Sequence, residues 1–170
     1  MKRFTTFLAE AKIAPNKLSA GNSVDLVGKG RSAKQFGMSG ENLFGGKAKV
    51  VGWGSLDPAS TSKTGLKFNK KLVLGQYVLG KDFKDLTNNY KEIWDTEEIR
   101  YGRFENANHR MKEFIRAIVK SEGMKPGYPA IFFQITDGER KGEYGYARVD
   151  MDNRWSVSDG GLDLEFDAIQ

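Results

Sequence analysis

Hydrophobic and polar positions fall into periodic stretches separated by one long stretch with little periodicity. Phe4, Phe7, Leu8 and Ala11 stand at i, i+3, i+4 and i+7, so residues 3–12 predict a short amphipathic helix. The clearest helix is 106–121. Ala107, Met111, Phe114, Ile115, Ile118 and Val119 mark one face; Lys112, Glu113, Arg116 and Lys120 mark the other. Gly123 ends it and Pro126 prevents a restart. A further helix is expected from an Asp82 cap to about Asp95, with Phe83, Leu86, Tyr90, Ile93 and Trp94 facing inward.

Strand patterns occupy much of the rest. AKVVGW (48–53) is one, and KLVLGQYVL (71–79) is a near-continuous apolar run of buried-strand length. DPASTSKTG (57–65) between them reads as a loop. AIFFQIT (130–136), EYGYARVDM (143–151), RWSVS (154–158) and LDLEF (162–166) read as an antiparallel meander, with a hairpin turn at Asp152-Asn153. In the last strand Leu162, Leu164 and Phe166 alternate with Asp163 and Glu165, the period of a half-buried strand. The expected class is α+β. Two or three helices pack on one face of a mainly antiparallel sheet that ends in a C-terminal meander.

The stretch before AKVVGW looks different. Nine glycines lie between Gly21 and Gly54, interleaved with Lys29, Arg31, Lys34, Lys47 and Lys49. Glycine raises the cost of ordering, and few large apolar residues offset it. Residues 14–46 therefore predict a mobile basic arm, or loops that order only against a partner. The expected organisation is a leader at 1–10, a flexible glycine-rich arm at 11–46 and one α+β domain at 47–170.

Charge sharpens that division. The net charge is +5, but residues 1–91 hold 16 Lys and Arg against 6 Asp and Glu, while 92–170 hold 11 against 16. Such a split points to a basic arm that meets a polyanion. Lys29, Arg31, Lys34, Lys47 and Lys49 are the expected nucleic-acid contacts. With only Phe36, Phe44 and Trp53 nearby for stacking, contact would be to backbone phosphate and tolerant of sequence. The absence of cysteine excludes disulfides, thiolate metal sites and cysteine nucleophiles, and a single histidine excludes a multi-histidine metal centre. No apolar run reaches the roughly 20 residues of a membrane span, and no membrane contact is expected.

Few motifs carry chemistry. GENLFGGKA (40–48) has five residues between Gly40 and Gly46, where the phosphate-binding lysine motif needs four. Ala48 stands where that motif needs a hydroxyl. His109 falls on the face of Lys112, Glu113 and Arg116, so it predicts a surface histidine rather than part of a Ser-His-Asp triad. Asp159, Asp163, Glu165 and Asp167 cluster near the end, with Asp163 and Glu165 on one, solvent-facing side of the sheet. Neither a metal nor another cofactor is expected.

The leader invites comparison with targeting segments. A secretory signal needs a longer apolar stretch than FTTFL. MKRFTTFLAEA instead resembles the capsid-targeting propeptides of internal head proteins of T-even-type tailed bacteriophages. The matching residues are Met1, Lys2, Phe4 and Phe7, the triplet Leu8-Ala9-Glu10, and a small Ala11. Of eleven glutamates, only Glu10 has Leu or Ile two positions before it. The resemblance covers about eleven residues. It implies docking of Phe4, Phe7 and Leu8 on the prohead scaffold and a cut after Glu10 by the prohead protease. It further implies packaging in the capsid with phage DNA, delivery into the host cytoplasm, and action there on a host defence or metabolic protein. Two alternatives stand beside it. One is a nucleic-acid-binding protein that uses the basic front half. The other is an injected enzyme, because Arg31, Ser60-Thr61-Ser62 and Asp163-Leu164-Glu165 loosely resemble the arginine, Ser-Thr-Ser and Glu-x-Glu of mono-ADP-ribosyltransferases, with Asp163 in place of the first glutamate.

Overall fold

The computed structural model describes residues 11–56, 77–124, 127–149, 155–159 and 162–170. Among them, seven strands form one antiparallel sheet: β1 (Ser23–Lys29), β2 (Ala48–Leu56), β3 (Tyr77–Gly80), β4 (Tyr128–Ile135), β5 (Tyr144–Val149), β6 (Trp155–Asp159) and β7 (Leu162–Ile169). Their order is β1-β7-β6-β5-β4-β2-β3, and β1 also pairs with β2 at Ser23–Lys49 and Val24–Ala48. That extra pairing closes six strands into a ring. β3 takes the remaining part of the same β2 edge, opposite Trp53, Gly54 and Ser55. Where β1 leaves β2, the loop at 40–44 covers its edge. Val27 bridges Asn42, and the Leu43 N–H donates to the Leu26 carbonyl at 2.9 Å.

Among the described residues, five α-helices accompany the sheet: α1 (Gly30–Gln35), α2 (Phe83–Asn89), α3 (Lys91–Trp94), α4 (Glu97–Tyr101) and α5 (Ala107–Ser121). Three begin on side-chain caps: Asp82 accepts from the Asp85 N–H, Thr96 from Ile99 and Asn106 from His109. α5 ends in paired bonds from Gly123 to the Lys120 carbonyl and from Met124 to the Val119 carbonyl, with Gly123 at φ +70°. This is the left-handed close that glycine permits. The α+β class is thus observed, with α2 to α5 on the sheet face that carries Val50, Trp53, Ile131 and Phe133. Met111, Phe114, Ile115 and Ile118 of α5 join those residues and Leu164 and Phe166 of β7 in one core. A smaller cluster of Leu56, Ala130, Phe132 and Tyr146 lies on the opposite face of β2, β4 and β5.

Several expectations need correction. Residues 14–46 are part of the fold, not a mobile arm. Leu18, Val24, Leu26, Leu43 and Phe44 are each less than a tenth exposed and belong to the core. Burying five such side chains, at about 1.5–3 kcal/mol each, offsets the ordering cost that the glycines add. Trp53 fixes the entry to this region by donating its indole N–H to the Leu18 carbonyl at 2.8 Å. The division at 46/47 therefore cuts through the ring.

The helix expected over 82–95 breaks at Tyr90, and α4 follows as a separate short turn. The buried face of α5 is the expected one except at its start and at Lys112. Met111, Phe114, Ile115, Ile118 and Val119 are buried as expected, but Ala107 is exposed, and Asn108 and Lys112 widen the buried face on one side. Ala11 and Lys12, expected at the end of a leader helix, are extended beside β7. The expected loop at 57–65 and the first part of the strand at 71–79 lie outside the described residues, as do Asp152-Asn153 and Pro126.

Candidate functional site

The most organised polar feature is the seam where the chain enters the fold. β6 pairs with β7 from Leu162 to Phe166, and residues 11–13 pair beyond it. The Gln170 N–H donates to the Ala11 carbonyl and the Ile13 N–H to the Ala168 carbonyl, both at 3.0 Å, with Lys12 opposite Ile169. The other edge of β7 is held by β1, from Asp25–Ile169 to Lys29–Glu165.

Asp167 joins the two sides. Its carboxylate meets the Lys12 ammonium at 3.1 Å and the Lys29 ammonium at 2.7 Å. One side chain thus ties residue 12, β7 and β1 together. Burial pushes its pKa up, but the hydrogen bonds from Lys29 and Lys12 and their positive charges outweigh burial and hold it below the usual carboxylate value.

Of the predicted processing residues, only Ala11 lies among the described residues; Leu8, Ala9 and Glu10 lie outside them, as do Phe4 and Phe7. Ala11 is exposed at its side chain and anchored at its carbonyl.

The predicted nucleic-acid contacts do not form one patch. Lys29 is bound to Asp167, and Lys47 to Asp25 at 3.1 Å. Arg31 and Lys34 are exposed on α1, just past the C-terminal end of β1. Lys49 is exposed beside Ser23, at the other end of that strand, about 20 Å away by strand rise.

The glycine loop is occupied by its own bonds. Asn42 donates to the Asp25 carboxylate at 2.8 Å and the Gly46 carbonyl at 2.7 Å, and accepts from the Phe44 N–H at 3.1 Å. The N–H groups of 43, 44 and 45 all point at protein acceptors, so they do not form a phosphate cradle.

His109 is half-buried rather than fully on the surface. Its ring stands edge-on to Phe104 at 5.3 Å, and no hydrogen-bond partner among the described residues reaches its buried Nδ1. Of the late carboxylates, Glu165 and Asp167 do alternate with buried Leu164, Phe166 and Ala168. Glu165 lies against Gly30, one residue before Arg31. Ser60-Thr61-Ser62 lies outside the described residues, and nothing is described of the Asp159 and Asp163 side chains.

One feature was only half legible in the sequence. A groove of about 300 Å3 runs between α4 and α5, lined by Glu98, Ile99, Phe104, Glu113, Arg116, Ala117 and Lys120. Residues 113, 116, 117 and 120 share one helical face, a spacing visible in the sequence, but its opposite wall comes from the unforeseen α4. Glu113 and Arg116 already pair with each other along its α5 wall at 3.2 Å. Among the described residues, no three His, Asp or Glu side chains are grouped to hold a metal, and no helix is long and apolar enough to cross a membrane.

No known family pattern, no curated protein and no solved structure matches this chain.

Proposed function

We propose that this chain is an internal head protein of a T-even-type tailed phage. Residues 1–10 direct it to the prohead core, the prohead protease cuts Glu10–Ala11, and the remainder is enclosed with DNA and delivered into the host. The observation that carries this reading is the triplet Leu8-Ala9-Glu10 placed directly before Ala11, a residue already paired to β7. A cut at that bond leaves the seam, the ring and the core on the retained side. The leader's apolar stripe suits a groove on a helical scaffold, and so short a helix is only marginally stable until it docks.

Removal of Lys2, Arg3 and Glu10 takes away a net charge of one, so the retained chain goes from +5 to +4 and stays basic among packaged DNA. Arg31, Lys34 and Lys49, which make no ion pair among the described residues, supply the phosphate contacts. N-terminal sequencing of the protein from purified particles tests the reading. A mature start at Ala11 is expected; a start at Met1, or absence from particles, overturns it.

A further inference from the structure

The backbone just after the proposed cut is already committed. The Ala11 carbonyl and the Ile13 N–H, the groups a protease would engage on the leaving side, are bonded to Gln170 and Ala168. Lys12 between them is tied to Asp167. Extended peptides are recognised by adding a strand to the recognising surface, which uses these same main-chain groups. One stretch of backbone cannot pair with β7 and with a protease at once.

We propose that the seam is a gate on processing: the Glu10–Ala11 bond is cut only while residues 11–13 are lifted from β7, and Asp167 is the latch that holds them down. The biological meaning of the gate rests on the processing reading; its physical basis is the pairing itself. Among the described residues, opening takes only 11–13 from a β7 edge beyond the β6 pairing, which ends at Trp155–Phe166. Asp167 keeps Lys29 on its other side when Lys12 leaves, so the ring stays closed while the gate opens. Where opening and closing are fast, the cutting rate follows the open population. A chain cut before the seam forms loses its leader readily; a chain that has closed the seam keeps it until something opens the latch.

The chain's lack of cysteine allows a clean test. Lys12 and Ile169 are the non-hydrogen-bonded pair of the bridge, where Cα atoms stand about 4.5 Å apart, within disulfide reach. In the full chain carrying Lys12→Cys and Ile169→Cys, oxidation should slow cleavage after Glu10 by a glutamate-specific endoprotease about ten-fold or more. Reduction should restore it. Cleavage after Glu139, on an exposed loop, should not change and serves as the internal reference. In the otherwise unaltered chain, Asp167→Asn should speed cleavage after Glu10 about five-fold, as expected for loss of one partly exposed ion pair, with Glu139 again unchanged. Equal rates after Glu10 in the oxidised and reduced chain overturn the gate. A rise at both glutamates in Asp167→Asn overturns the latch, since it marks general unfolding. If the disulfide slows cleavage but particles hold a chain that begins at Met1, the gate stands and the processing reading falls.

Discussion

Asp167 holds three stretches of chain because its carboxylate has two faces to offer. Lys12 approaches from one edge of β7 and Lys29 from the other. Its lowered pKa fixes the sign of the pH effect. The unfolded chain takes up the proton at the ordinary carboxylate value, near 4, while the folded chain resists until lower pH. The stabilisation is therefore complete above about pH 4 and is lost as pH falls through the folded value. Asp167→Asn should cost about 1 kcal/mol at pH 7. Urea unfolding at pH 7 and pH 3 checks this, and the gap between parent and variant should narrow at the lower pH. Asn42 is a second polar anchor. Asn42→Ala removes three hydrogen bonds and leaves Asp25 with Lys47 alone, so a loss of about 1–2 kcal/mol in urea unfolding is expected. Neither role was legible in the sequence. The alternation over 162–166 placed Asp163 and Glu165 on the outer face and stopped short of Asp167, and which lysines would meet Asp167 depends on two strand pairings that no local pattern encodes.

At the level of elements, legibility followed the length of the pattern. α5 was readable because fifteen residues repeat one stripe between an Asn106 cap and Gly123. Its first turn was misread, because Ala107 weighs little as a hydrophobe and Asn108 is polar yet buried. Gly123→Ala tests the terminus. Open space surrounds the position, so the whole cost is the φ of +70°, and a loss of about 1 kcal/mol in thermal or urea unfolding is expected. β1 shows the opposite case. Val24 and Leu26 alternate with Ser23, Asp25 and Val27, a strand signal, but the surrounding glycines and lysines outweighed five residues of pattern. The glycines have structural work there. Gly30 turns the chain from β1 into α1 at φ +79°, with Glu165 packed where a side chain would stand. High glycine content thus marked tight connections between ordered elements rather than disorder.

For the whole molecule, the charge split that suggested an arm reaching for a polyanion has a partly internal explanation. The basic front half supplies β1 and residues 11–13, the more acidic second half supplies β7, and they neutralise one another where they pair. The cations left over are fewer than composition suggested. If packaged DNA is contacted through Arg31 and Lys34, replacing both with Ala should lower the slope of log affinity against log salt by about 1.8, the share of two phosphates, while Lys29→Ala should chiefly weaken the seam. Measured DNA binding across a salt series separates the two. The same topology sets where the chain can be shortened. A chain starting at Ala11 keeps the seam and all seven strands, and it should unfold cooperatively with a midpoint close to that of the parent. A chain starting at Lys47 loses β1, α1, Leu18, Leu43 and Phe44 together. The ring then opens, one edge of β7 faces water, and the core loses five side chains. That chain should show no cooperative transition in urea and should aggregate. A cooperative transition in the chain that starts at Lys47 would mean that residues 47–170 fold alone, and the ring would then be an addition to the domain rather than its foundation.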